Sequence, residues 1–232
     1  MKVKICILNS FIFFLWSFAA FAQEMTAPTP KKKKVVLTSG VESSVLQFAR
    51  LSNFGNGIKT LPRYTYFFNT GVDINFKVHK QINPFTGISI KNIGIIAQPN
   101  DSLKYKYRVY TLGAPLGLKL YFMKNKLMFK TGADISLAFN YKWKTYLNGQ
   151  KTLKGNEFFS DKTPLLFSSV FAGFSYSGLT LSGNYYLNNF FANPTSLTNL
   201  QARLVCISLG ITIDENCVKK KNNTPAPASN SL

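Results

Sequence analysis

The chain has 232 residues, and its 28 Lys and Arg against 9 Asp and Glu give a formal net charge of +19 at pH 7. The hydrophobic content is 46%, yet no stretch after the N-terminal segment has 18 or more continuous apolar residues, so no helical transmembrane span is predicted. One His and two separated Cys, Cys206 and Cys217, remain after the N-terminal segment and do not make the ligand set of a metal site, so no metal or other cofactor is predicted.

The N-terminus has the pattern of a secretory signal peptide. Residues 1–4 are basic, residues 5–18 are almost wholly apolar, and residues 20–22 fit a small-x-small cleavage site. We predict a signal peptide over residues 1–22. The alternative is a retained anchor, although the apolar run is shorter than the roughly 20 residues that a spanning helix needs. Export argues against nucleic-acid binding despite the basic charge, so no nucleic-acid partner is predicted.

Residues 64–79 alternate between apolar and polar side chains at almost every step. Because a strand points successive side chains to opposite faces, this segment has one apolar and one polar face. At about 3.3 Å per residue it reaches about 50 Å, which at a tilt of about 40° still exceeds the roughly 25 Å apolar band of an outer-membrane barrel.

The same alternation recurs along the chain and gives seven further predicted strands. On the strand over 127–143, the apolar face is expected to include Leu137, Phe139, Tyr141 and Trp143. The further strands are 35–51, 83–96, 110–122, 127–143, 165–177, 179–187 and 204–213.

Long polar connections alternate with short ones, as in an up-and-down barrel with short periplasmic turns and longer external loops. We predict an all-β protein, an eight-stranded antiparallel up-and-down transmembrane β-barrel over residues 35–214, located in the outer membrane. A soluble β-sandwich is the alternative. Residues 23–34 are predicted as a basic periplasmic lead-in and 215–232 as a basic, then disordered periplasmic tail. The long connections are 52–63, 97–104, 148–164 and 188–199, and the short ones are 80–82, 123–126 and 177–178.

Aromatic and basic residues near the strand ends predict contacts with outer-membrane lipids. The basic clusters 31–34 and 219–221 would bind anionic headgroups, or would simply keep the termini soluble. Tyrosine and tryptophan at strand ends are typical of the girdles at the membrane interfaces. The aromatic residues concerned are Tyr64, Tyr66, Tyr105, Tyr107, Tyr110, Tyr141, Trp143 and Tyr146.

Charged residues of both signs are assigned to the polar faces of the strands, which would point into the barrel. An eight-stranded barrel is just wide enough for side chains to fill it, so these charges are expected to pair across the lumen. The alternative is a narrow ion-conducting path lined by Lys119 and Lys130. The predicted network consists of Glu42, Asp73, Lys77, Lys119, Lys130, Asp134 and Arg203.

No catalytic residues are predicted, and the chain is expected to be a non-enzyme. The single His, His79, lies at the turn end of its strand, about 20 Å along that strand from Asp73, and no G-x-S-x-G motif occurs. Cys206 and Cys217 are too far apart along an extended chain to predict a disulfide between them.

The connection over 148–164 is the candidate docking site for another protein. It carries an exposed pair, Phe158 and Phe159, flanked by Lys154 and Lys162, and an apolar centre with a charged rim is typical of an interface. The alternative is that the two phenylalanines fold back over the mouth of the barrel.

Residues 110–122, with the sequence YTLGAPLGLKLYF, resemble the fourth-strand signature of the PorT-like outer-membrane β-barrel proteins of Bacteroidetes-type bacteria. Pro115 inside this strand is expected to mark a bulge. The resemblance implies a structural or partner-binding barrel of the cell envelope, with a link to a protein-secretion or gliding apparatus. Two alternatives remain: a small passive channel, and a soluble lipocalin-like carrier whose apolar strand faces point inward.

Overall fold

The structure is a computed structural model and describes residues 35–123, 126–192 and 200–214. Within these ranges the side chains of 42–44, 67–68 and 213–214 are not described. The predicted signal peptide and lead-in (1–34) and the predicted tail (215–232), with Cys217, lie outside the described residues.

The described part of the chain forms eleven β-strands. Nowhere in it is there a helix long and apolar enough to cross a membrane. The strands are β1 Val35–Asn53, β2 Asn56–Ile58, β3 Thr60–Leu61, β4 Arg63–Phe76, β5 Ile82–Ala97, β6 Leu103–Phe122, β7 Leu127–Leu147, β8 Gln150–Phe158, β9 Leu166–Tyr176, β10 Leu179–Tyr186 and β11 Leu200–Asp214.

Eight of these strands pair in a cycle, in the order β1, β4, β5, β6, β7, β9, β10, β11. The last strand returns to the first, because β11 pairs with β1 from Thr38 opposite Asp214 to Asn53 opposite Leu200. All of the pairings are antiparallel, so the predicted all-β antiparallel class is confirmed. We call these eight strands the cyclic sheet; β2, β3 and β8 pair with β1, β5 and β7 beside it.

The connections divide the cyclic sheet into two ends. At the turn end, residues 77–81, 123–126 and 177–178 join successive strands. Ser177 and Gly178 have φ values of 49° and 94°, as a two-residue type I′ hairpin turn requires. The remaining connections join the strands at the opposite end, which we call the loop end.

The two faces of the cyclic sheet differ in polarity. Large apolar side chains are exposed on the exterior of every one of its strands, such as Val72, Leu116, Ile135 and Ile207. The interior is polar toward the turn end, whereas toward the loop end apolar side chains pack into a buried core cluster. Its members are Val45, Leu51, Ile93, Ile95, Ala97, Val109, Ala138, Tyr141, Phe167, Tyr186, Phe190, Ala202, Leu204 and Cys206.

Several strand boundaries differ from those that alternation predicted. Strand β4 ends at Phe76, three residues before the predicted end. Strand β6 begins at Leu103 and β7 continues to Leu147, so both extend well beyond their predicted loop-end limits. The predicted loop 148–164 contains β8, because Asn148 and Gly149, with φ values of 49° and 80°, form a tight turn that folds the chain back onto β7.

A β-bulge reverses the face of the loop-end part of β7. The register between β6 and β7 shifts between Tyr110 and Thr111, which inserts one extra residue, Phe139, into β7. Beyond the bulge, Tyr141 belongs to the core cluster and Trp143 packs against it, so their predicted exterior positions are wrong. The register runs past Pro115 without a shift, so the bulge expected there is also absent.

The predicted aromatic girdle is therefore only partly exterior. Tyr64 and Tyr66 are 47% and 57% exposed, and their rings meet edge to face with centroids 4.3 Å apart. Tyr105 and Tyr107, by contrast, pack against the core cluster, because they alternate in step with the buried Val109. They stack in the interior with Tyr141 instead of contacting the surroundings of the sheet.

Candidate functional sites in the interior and on the β7–β8 hairpin

Lys119 of β6 and Asp73 of β4 form an ion pair inside the turn-end half of the cyclic sheet. The Lys119 Nζ lies 2.6 Å from Asp73 Oδ2 and donates to Thr38 Oγ1 at 3.1 Å. It also lies 4.6 Å from the centroid of the Phe85 ring, a cation–π distance. The Lys119 side chain is 1% exposed and that of Asp73 26%, so the pair joins a buried cation to a carboxylate that still contacts solvent.

A second interior pair joins Lys91 of β5 to Asp134 of β7. The Lys91 Nζ lies 3.0 Å from Asp134 Oδ2, and the Ser136 hydroxyl also donates to this oxygen. The Asp134 side chain is 0% exposed. Gly113 makes room for the group, because a Cβ atom there would lie 2.7 Å from both Asp134 Oδ1 and Ser89 Oγ.

The predicted interior network is thus only partly assembled. Lys130 lines an interior cavity, and its cross-strand neighbour is Lys119. Lys77 is exposed beyond the end of β4, so its predicted lumen position is wrong. Arg203 is on the exterior, where its Nη1 donates to the Leu187 carbonyl at 3.0 Å, because it shares the face of exposed Val205. The side chain of Glu42 lies outside the described residues.

Two interior cations were missed by the sequence analysis. Lys91 alternates in step with Asn83 and Ser89 and directly follows the exterior residue Ile90, so alternation within β5 was a sufficient signal. Arg63 was assigned to a loop, yet it is 5% exposed and is the first residue of β4.

Arg63 belongs to a buried group of side chains that replaces a missing part of the β4–β5 ladder. That ladder stops at Thr70 opposite Ile90. Beyond it, the Gln47 side chain donates to Asn92 O at 2.6 Å and accepts from Gly94 N at 2.7 Å. Arg63 donates to Gln47 Oε1 at 2.6 Å and to Asn92 Oδ1 at 2.8 Å. Side chains here satisfy backbone groups that a neighbouring strand would otherwise pair.

The interior cavity at the turn end has a volume of about 90 Å³. Pockets that enclose drug-sized ligands are several-fold larger, at roughly 300–1,000 Å³. Its lining mixes apolar with polar and charged side chains, and the polar and charged ones include Asn69, Asp73, Lys91, Lys130 and Asn184. The apolar strand faces point outward, which contradicts the lipocalin-like alternative.

The β7–β8 hairpin projects from the cyclic sheet at the loop end and carries the predicted docking residues. Phe158 and Phe159 are 70% and 44% exposed, so they do not fold back over the interior. The side chain of Lys162 is 53% exposed, and its Nζ lies 2.6 Å from Glu157 Oε1. Hydrogen bonds from Lys162 and Ser160 lower the pKa of the Glu157 carboxyl. The structure therefore brings the exposed aromatic pair together with an ion pair.

The remaining candidate residues show no catalytic or metal-binding arrangement within the described ranges. His79 lies in the exposed turn-end connection, where its Nδ1 accepts from Gln81 N at 3.3 Å. No group of three or more His, Cys, Asp or Glu in the described residues is placed to hold a metal ion. Cys206 is 3% exposed within the core cluster.

The sequence matches no protein-family model and no curated protein. Among solved structures, the chain is similar to Ail, the attachment invasion locus protein of Yersinia pestis, with 9% identity, a TM-score of 0.36, and coverage of 77% of this chain and 97% of Ail. It is similar to Neisserial surface protein A with 11% identity, a TM-score of 0.37, and coverage of 78% and 97%. It is also similar to the outer membrane protein OprG of Pseudomonas aeruginosa, with 8% identity, a TM-score of 0.33, and coverage of 77% of this chain and 95% of OprG. Likeness at this level establishes neither a family nor an activity.

The exposure of the two partners predicts the effect of breaking the interior pair of Lys91 and Asp134. Lys91→Met leaves a fully buried carboxylate without its cation, so we expect the free energy of unfolding to fall by about 3–5 kcal/mol. The double variant Lys91→Met, Asp134→Asn removes the buried charge and is expected to recover most of this loss. Urea unfolding of the purified protein measures both effects.

The exposed ion pair on the hairpin provides the matched control. Lys162→Met breaks a pair of the same type in solvent, so the expected loss is about 1 kcal/mol or less. Equal losses for Lys91→Met and Lys162→Met, or a double variant as unstable as Lys91→Met alone, would contradict the role assigned to the interior pair.

Proposed function

We propose that this protein is an eight-stranded, up-and-down transmembrane β-barrel of the outer membrane with a non-enzymatic structural or partner-binding role in the cell envelope. The observation that carries the proposal is the reversed polarity of the cyclic sheet, with apolar side chains outside and charged side chains inside. Large contiguous apolar patches are uncommon on soluble monomers, and an apolar surface that surrounds the whole sheet fits a lipid environment.

The height of the apolar exterior supports this proposal. On β6, the exterior side chains from Leu112 to Phe122 are all apolar, and Tyr110 precedes them. Two of them, Leu116 and Leu118, are 69% and 44% exposed. The twelve steps from Tyr110 to Phe122 cover about 30 Å along the axis at a strand tilt of about 40°. This height is close to the roughly 30 Å hydrocarbon core of a bilayer.

The packing of the interior favours a closed barrel over the passive channel. The core cluster contains buried side chains from seven of the eight strands of the cyclic sheet, and each is at most 5% exposed. Within it the Phe167 ring packs against those of Tyr186 and Phe190, with centroid distances of 6.2 and 6.1 Å. An ion that passes through the interior of the barrel would have to displace these rings, so the packed interior acts as a plug.

The β7–β8 hairpin is the proposed docking site for an envelope protein. Its exposed Phe158 and Phe159 supply an apolar centre, and Lys154 and the pair of Lys162 with Glu157 supply a charged rim. Participation in protein secretion or gliding is the finer proposal, and it rests only on the resemblance of residues 110–122 to PorT-like barrels.

Envelope fractionation tests the membrane assignment. We expect the full chain to partition with the outer membrane and to migrate differently on SDS gels with and without boiling, because a paired β-barrel resists unfolding by the detergent. A periplasmic protein whose mobility does not depend on heating would overturn the proposal.

Single-channel recording in planar bilayers distinguishes a plug from a channel. The wild-type protein is expected to give no conductance steps, whereas the variant with Phe167, Tyr186 and Phe190 all changed to Ala is expected to conduct. The control changes three exterior aromatic residues to Ala, Phe174, Tyr176 and Tyr185, and should remain closed. Conductance by the wild-type protein would favour the channel.

Site-specific photo-crosslinking in intact cells tests the docking site. A photoreactive phenylalanine analogue at position 158 is expected to give a protein adduct of defined mass that Lys154→Glu abolishes and Lys80→Glu preserves. The matched control carries the analogue at position 54, because Phe54 is an exposed phenylalanine (60%) at the same end of the sheet. Equal adducts from positions 54 and 158, or an adduct insensitive to Lys154→Glu, would argue against the hairpin.

A further inference from the structure

Seven cations lie on one exterior face of β6, β7 and β8, directly beyond the apolar exterior at the loop end. The pairing register places them in three cross-strand rows, in which each residue faces its neighbours on the adjacent strands. The rows are Arg108, Lys142 and Asn156; Lys106, Lys144 and Lys154; and Lys104, Tyr146 and Lys151. We call these seven cations the basic face.

The basic face has no carboxylate at any of these paired positions. On the other side of β6, the partners of Arg108 and Lys106 are Gly94 and Ile96. Like charges directly opposite each other across a sheet are destabilising, and the middle row sets three lysines side by side. No ion pair joins a cation of the basic face to any described Asp or Glu side chain.

Two aromatic rings lie among these cations on the same face. Lys142 Nζ lies 5.1 Å from the centroid of the Tyr110 ring, and Lys106 Nζ lies 4.8 Å from that of Tyr146. Tyrosine rings of this kind are typical of the headgroup level of a membrane, where lysine side chains also extend their charged ends toward water.

The position of the rows relative to the apolar exterior indicates what they contact. Arg108 is two residues beyond Tyr110, which places its row about 5 Å above the end of the apolar band at a tilt of about 40°. Each headgroup layer of a bilayer is about 5–8 Å thick, since the whole bilayer measures roughly 40–45 Å and its core about 30 Å. The row of Arg108 and Lys142 is therefore at headgroup level.

We infer that the basic face binds the phosphorylated headgroups of outer-leaflet lipids, with Arg108 and Lys142 as the principal contacts. This inference rests on the proposed function, because it requires the apolar exterior to be embedded in lipid. The guanidinium of Arg108 can bind a phosphate through two hydrogen bonds, and Lys142 adds a point charge beside it. Bound phosphates would also relieve the repulsion among the paired lysines.

The test measures binding of a fluorescent diphosphoryl lipid A to the full-length protein in zwitterionic detergent. Each basic residue near a charged surface contributes about 1 kcal/mol, so Arg108→Gln with Lys142→Gln is expected to weaken binding about fivefold for each cation removed. The control Lys80→Gln with Lys126→Gln removes the same charge from exposed sites at the turn end and should bind as the wild type does. Lipid A stripped of its phosphates should bind more weakly to the wild-type protein.

Three results would overturn the inference. The first is equal binding by the wild type and by the Arg108→Gln, Lys142→Gln variant, with both shown to be folded by heat-dependent mobility on SDS gels. The second is binding that does not depend on the lipid phosphates. The third is an Arg108→Gln, Lys142→Gln variant that binds heparin, a sulfated polysaccharide, more weakly than the wild type does but binds lipid A equally well.

The same samples distinguish a failure of this inference from a failure of the proposed function. A wild-type protein that fractionates as soluble, with no heat-dependent mobility, contradicts the barrel and the lipid contact together. A wild-type protein that inserts in the membrane but binds lipid A without regard to its phosphates contradicts the lipid contact alone.

Discussion

The pairing of β1 with β11 is the constraint on which the rest of the structure depends. It joins the first and last strands of the cyclic sheet, so every strand in the cycle has a neighbour on both sides. A side chain that points inward is then enclosed on all sides, which is why Lys119 can be 1% exposed although it lies on a single-layered sheet. Burial of this kind makes the partners of each interior charge a condition of stability.

The enclosed space is used in two different ways. Toward the loop end it holds a close-packed apolar cluster, which resembles the core of an ordinary soluble domain. Toward the turn end it holds paired charges and a small cavity that Asp73, Lys91 and Lys130 help to line. The apolar cluster closes the interior, while the charged half ties β4 to β6 and β5 to β7 through contacts that backbone pairing does not supply.

Alternation predicted the faces of β6 correctly. In β6 it assigned Lys119 to the interior, where the side chain is buried, because no bulge interrupts this strand. The same rule failed for Tyr141 and Trp143. One extra residue in β7 reverses every later side chain, and nothing in the composition of that segment marks where the residue is inserted.

Other errors had signals that were present in the sequence. The Asn148–Gly149 dipeptide is a strong hairpin signal, and it is the turn that creates β8 inside a segment interpreted as a loop. The interior position of Lys91 could also have been predicted, because this residue follows the alternation of β5. The side-chain group around Gln47 and Arg63 could not have been predicted in this way, because it depends on where the β4–β5 ladder stops, which is a property of the assembled sheet.

The hairpin strand β8 introduces an edge into a protein whose main sheet has none. Among the described strands it pairs only with β7, so the backbone groups along its other side are available to a further strand. Such edges promote association between copies of a protein, and lysine side chains along them oppose it. Lys151 and Lys154 lie on this strand, where two copies meeting edge to edge would bring like charges together. The lysines of β8 therefore oppose self-assembly of the protein through this edge.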